Sequence, residues 1–143
     1  MDAELKSQFG DLVRIPSGTY HLKCHEWITG ICFKQPKLIL HLRVVDMGEW
    51  FGAPLERFYN IHPLTSMAGN RARFKVNRSS SLLRELATVT EKPLVRLDRL
   101  PVSEFTKHLL VGEVVDVTTG YQQQEIPEAA RYSVVRRIIG VER

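Results

Sequence analysis

Five stretches of this chain read as strands and one amphipathic stretch reads as a helix, which falls between the third and fourth strands. A period of two sends alternate side chains to opposite faces of a strand, whereas a 3.6-residue period makes one apolar stripe on a helix. An order of three strands, one helix and two strands therefore constrains the fold more than any motif. The clearest alternation runs from Lys37 to Asp46. Leu38, Leu40, Leu42 and Val44 form one face, and Lys37, His41 and Arg43 stand opposite among Ile39 and Val45. Before it, Gly18 to Ile28 places Tyr20, Leu22, Cys24 and Ile28 inward, with Glu26 as the exception. His21, Lys23, His25 and Trp27 face outward. Trp50 to Ile61 reads as the third strand, broken near Gly52-Ala53-Pro54 as at a bulge or a barrel corner.

The connections follow from turn residues and caps. Thr29 to Pro36 reads as a loop, Met47-Gly48-Glu49 as a tight connection, and Pro63 to Ser80 as a long polar loop. Ser79, Ser80 and Ser81 offer N-cap hydroxyls to a helix over 81–90, whose stripe is Leu82, Leu83, Leu86, Ala87 and Val89, and Pro93 stops it. Ser103 opens a short second helix over 104–110. Val111 to Thr119 is the fourth strand, Gly120 to Ala130 a polar loop, and Tyr132 to Val141 the last strand. Residues 1–17 form an N-terminal arm on a single domain, 1–143. The expected fold class is mainly β with one or two helices. A helix between strands three and four is the order of a five-stranded OB-type Greek-key barrel, although an SH3-like barrel with an inserted helix uses the same parts.

A hydrophobic fraction of 43% with 25% charged residues is the balance of a soluble globular domain. Two cysteines exclude a disulfide-dense scaffold. No apolar run reaches the roughly 18 residues of a membrane span, and the polar start lacks the apolar stretch of a signal peptide, so a cytoplasmic location is expected. Twenty Lys and Arg against sixteen Asp and Glu give +4, which favours polyanionic partners.

Catalysis finds little support. The chain has no phosphate-cradling Gly-rich loop, nucleophile elbow or His-Glu-x-x-His helix. His21, Cys24, His25, Cys32 and His41 suggest a metal, but on a strand Cys24 points away from His21 and His25, and zinc needs convergent ligands. No cofactor is expected. Asp46 and Glu49, and Glu125 and Glu128, read as solvated turn and loop acids.

Binding finds more. Arg71 to Arg78 carries four cations, Arg71, Arg73, Lys75 and Arg78, around Phe74 with no acid. If extended, it puts Arg71, Arg73 and Lys75 on one side, ready to neutralise phosphates. Lys23, Lys34, Lys37 and Arg43 add charge along the first two strands. Trp27 shares the outward parity, one of the adjacent Trp50 and Phe51 must point out, and Phe74 sits in the basic run. Such rings give bases a stacking surface. On one reading Arg131, Arg136 and Arg137 of the last strand extend the basic groove; on the other, its apolar residues on both sides form an edge that pairs with a second copy, a homodimer.

Gly18-Thr19-Tyr20, the run from Lys37 to Val44, Gly48-Glu49-Trp50-Phe51-Gly52, Arg57-Phe58-Tyr59-Asn60 and the ending from Tyr132 to Ile139 resemble the small single-stranded-DNA-binding proteins of phages, plasmids and integrated mobile elements. The resemblance implies an OB barrel, sequence-tolerant and non-catalytic binding of single-stranded DNA, and work beside replication or recombination proteins. Members of that group often carry a long acidic tail. This chain ends Ile139-Gly140-Val141-Glu142-Arg143, so recruitment of partners through such a tail is not expected. Stacking and phosphate contacts would serve RNA as well. The rival expectation is a protein-binding module, an inhibitor or adaptor of a host complex, on the same barrel.

Overall fold

A computed structural model describes residues 12–142. Its strands are β1 (Gly18–Cys32), β2 (Gln35–Val44), β3 (Pro54–Asn60), the two-residue β4 (His62–Pro63) and β5 (Phe74–Lys75), β6 (Leu109–Val117) and β7 (Tyr132–Glu142). The helix α1 (Ser81–Thr90) lies between β5 and β6. Five strands make one antiparallel sheet in the order β3-β2-β1-β6-β7, and β4 pairs only with β5. Among the described residues the fold is mainly β with one α-helix, as the periodicities predict. No helix among the described residues is long and apolar enough to cross a membrane.

The sheet curls until its edges, β3 and β7, lie side by side, but no ladder joins them among the described residues, so it does not close into a barrel. The concave side holds the main core, with Leu22, Cys24, Leu38, Leu40, Leu42, Leu55 and Tyr59 facing Leu110, Val114, Val135 and Ile138. The apolar stripe of α1, Leu82, Leu86 and Val89, covers it together with Phe105. Ser80 caps α1 by accepting from the Leu82 amide at 3.1 Å, and Glu91 ends it in a left-handed conformation at φ 57°, ahead of Pro93.

At the seam, a side chain of α1 stands in for the missing ladder. Glu85 Oε1 accepts from the Ile138 amide of β7 at 2.6 Å and from the Tyr59 hydroxyl of β3 at 3.0 Å. Arg57 of β3 forks onto the same carboxylate, Nε to Oε1 at 3.1 Å and Nη2 to Oε2 at 2.5 Å. Burial penalises the Arg57 charge, yet its hydrogen bonds to Glu85 raise its pKa, and burial lifts Tyr59 well above the usual phenol.

Four expectations are corrected. Thr29 to Pro36 is not a loop: β1 continues to Cys32 and turns through Phe33 and Lys34 alone. Trp50 to Ala53 belongs to the turn before β3, which begins at Pro54. The segment 104–110 holds a 3₁₀ turn, Val102–Thr106, and then the start of β6. The fourth correction decides the site. The register of β1 on β2 slips by one between Cys24 and Glu26, so Cys24 faces Leu42 but Trp27 faces Leu40. A bulge reverses every side chain beyond it. Trp27 and Thr29 therefore turn inward, and Ile28 turns outward beside Ile39. Glu26, the exception in the alternation, marks the slip.

The outer edge of β7 is engaged within the chain. Val13 O accepts from the Ser133 amide at 2.8 Å, and the Ser133 hydroxyl binds Ile15 N and O. With Glu85 at Ile138, the chain itself holds the edge at two points.

Candidate nucleic-acid interface

Segment 71–76 lies extended across the end of β1. The Thr29 amide donates to Asn70 O at 2.8 Å, and Thr29 Oγ1 accepts from the Ala72 amide at 2.8 Å. The β4–β5 pairing and a 2.7 Å bond from Leu64 N to Arg73 O hold its far side. Ala72, Phe74 and Val76 are buried, while Arg71, Arg73 and Lys75 alternate with them and are exposed. The expected one-sided row of cations is therefore present. Phe74, however, is 8% exposed and belongs to the core, so it offers no ring to a ligand.

Trp27 is half-buried against the main core, with the Arg71 guanidinium 4.0 Å above its ring centroid. The expectation of an outward tryptophan is corrected: the bulge turned it in, and Arg71 covers one face. Trp50 likewise packs on the core, and its neighbour Phe51, 59% exposed, is the outward ring of the pair.

Sequence reasoning counted Phe33 among the aromatics interleaved with the cations but did not carry it into the site. Phe33 and Lys34 form the two-residue turn of the β1–β2 hairpin at φ 51° and 64°. Paired left-handed residues match the strand twist, which is why such turns favour Asn-Gly. A phenylalanine here adopts a sparsely populated conformation and stands 41% exposed, near Ile31 at 38%. The legible signal was two residues between alternating runs, obscured because neither is glycine.

The remaining cations divide. Lys34 is exposed at the hairpin tip, and half-buried Lys37 donates to Asn60 Oδ1, its pKa lowered by burial. Lys23 and Arg43 pair across β1 and β2 at the other end, bound to Thr106 O at 2.7 Å and Gly52 O at 2.9 Å. Along β2 the distance from Lys37 to Arg43 is about 20 Å at the strand rise. Arg43, Lys23 and Phe51 therefore form a patch separate from that of Lys34 and Lys37 at the hairpin end, and Arg71, Arg73 and Lys75 form a third cluster with Trp27, whose ring lies on the opposite, inward face of the sheet from Lys37. Arg78 is exposed beyond that cluster, toward α1.

Between the two patches, Glu26, His41 and Glu56 form one cross-strand row. Burial raises Glu56 to about 7 and lowers His41. Folded Glu56 keeps a proton that the unfolded chain releases near pH 4.5, so stability falls as pH rises from about 4.5 to about 7. Glu56→Gln should remove that fall and leave the variant more stable than the parent at pH 8 by on the order of 2–3 kcal/mol. Urea melts at pH 5 and pH 8 measure it, and parallel losses in both proteins would refute it.

Asp46 is more than a solvated turn acid. It accepts from the His21 amide at 2.7 Å and lies 2.6 Å from His21 Nδ1, and these bonds outweigh desolvation to hold its pKa down. Burial raises the Cys24 thiol to about 11, so it is protonated at neutral pH. Among the described residues, no three His, Cys, Asp or Glu side chains gather as metal ligands. Comparison with protein-family models, curated proteins and solved structures finds no match for this chain.

Proposed function

We propose that this chain is a partly open barrel of the OB type that holds single-stranded DNA without catalysing a reaction. The strand order β3-β2-β1-β6-β7, with the helix after the third sheet strand, supports the barrel reading. The observation that carries the binding reading is segment 71–76, whose apolar side chains anchor it while Arg71, Arg73 and Lys75 face solvent. Beside it, Arg71 stacks on Trp27, and β1 runs on to a hairpin tip that presents Phe33 and Lys34. Cations in a row suit phosphates, and an exposed ring suits unstacked bases, which a duplex does not offer. The proposal needs no second copy of the chain, and it places the protein in the cytoplasm beside replication or recombination proteins of a mobile element.

Fluorescence anisotropy of labelled oligo-dT of about 30 nucleotides tests it, a length beyond one OB site of roughly 4–16. Binding that weakens with salt and survives duplex competitor is the expected result. Phe33→Ala should weaken it by about 1–3 kcal/mol with little change in salt slope, the mark of a lost stack. Absence of binding at low salt would overturn the proposal and favour the protein-binding module.

A further inference from the structure

On the far side of α1 an open groove of about 690 Å³ runs between the helix and β7. Arg57, Arg84, Arg136 and Arg137 line it, with Ser81 and Thr88 hydroxyls and an isoleucine pair, Ile138 and Ile139. Arg57 is neutralised by Glu85. Arg136 and Arg137 share the carboxylate of Glu113, and among the described residues the Arg84 guanidinium donates to the carbonyl of Ser79, at 3.0 Å. Among the described residues, three exposed guanidiniums thus face the one carboxylate of Glu113. Among the described residues no aromatic lines the groove, so none of them offers bases a ring to stack on there.

Along the chain, no acid separates the cations of segment 71–78 from the groove. From Arg57 to Arg84 the chain carries no Asp or Glu. Arg71, Arg73, Lys75, Arg78 and Arg84 are all exposed along the stretch that leads from Trp27 into α1. We infer that the α1–β7 groove is a second segment of the strand path, one that grips phosphates and reads no bases. This rests on the proposed single-strand binding and lengthens it: a strand held at Trp27 and Phe33 follows segment 73–78 and enters the groove.

The test uses the full chain with oligo-dT of about 30 and about 8 nucleotides, the shorter being too small to cover both segments. The triple variant R84Q/R136Q/R137Q should bind the long oligonucleotide about tenfold or more weakly, with a salt slope smaller by about 2, given roughly 0.7 per phosphate contact on single strands. Its binding of the short one should stay within about twofold, which also shows that the variant is folded. R84K/R136K/R137K should restore the slope. Equal losses at both lengths, or no loss at either, would overturn the inference. So would unchanged oligo-dT binding with lost binding of labelled poly-glutamate, which would assign the groove to an acidic protein. Failure of the parent protein to bind either oligonucleotide would instead sink the single-strand reading itself.

Discussion

Glu85→Ala should destabilise the protein by about 3–5 kcal/mol, the cost of leaving one partner of a buried pair uncompensated. The change removes the carboxylate that serves Arg57, Tyr59 and the Ile138 amide together. The Arg57 side chain is 12% exposed and that of Glu85 6%, so water can replace little of the loss. Domains are stable by only about 5–15 kcal/mol, so the melting temperature should drop by roughly 10–20 °C. Urea denaturation with an unchanged m-value is the measurement. Arg57→Met combined with Glu85→Leu should cost less than Glu85→Ala, because no charge is left unpaired, yet should not restore the parent. The Tyr59 hydroxyl and the Ile138 amide stay orphaned, and each unsatisfied buried group costs about 1–3 kcal/mol. A Glu85→Ala loss below about 1 kcal/mol would show that the seam is held by packing alone.

Arg71, Arg73 and Lys75 changed together to alanine should lower the salt slope of oligo-dT binding by about 2 and weaken affinity by roughly one to two orders of magnitude near 0.1 M salt. All three side chains are exposed on a segment anchored by the buried Ala72, Phe74 and Val76, so the fold should survive. Removing Arg71 also uncovers the Trp27 ring that it covers at 4.0 Å. Changing Lys23 and Arg43 together is the matched control. They lie at the other end of the β1–β2 pair and already serve Thr106 O and Gly52 O, so their loss should move the slope less. Equal slopes for the triple variant and the parent would remove segment 71–75 from the interface.

The protein shows where linear pattern stops carrying information. The alternation of Leu38, Leu40, Leu42 and Val44, the helix at 81–90 and the one-sided cations of 71–75 were all legible. Each is a local consequence of where side chains point on a strand or a helix. The site was less legible. Trp27 was assigned outward because parity was counted through His25, where the register slips. Phe33 stood among the interleaved aromatics, but its two-residue turn lacks glycine and reads as part of a loop. Phe74 and Trp50 have the composition of stacking residues, but the core absorbed both.

The sequence by itself determined the kinds of element, their order, and the concentration of positive charge after the third strand. Those depend on period and composition, which are properties of neighbours along the chain. Only the tertiary structure decided that β7 meets β3, that Glu85 of α1 joins them, and which aromatic rings reach solvent. Those depend on pairing partners far apart in sequence and on a one-residue bulge. Such a slip changes little in local composition but reverses every side chain beyond it.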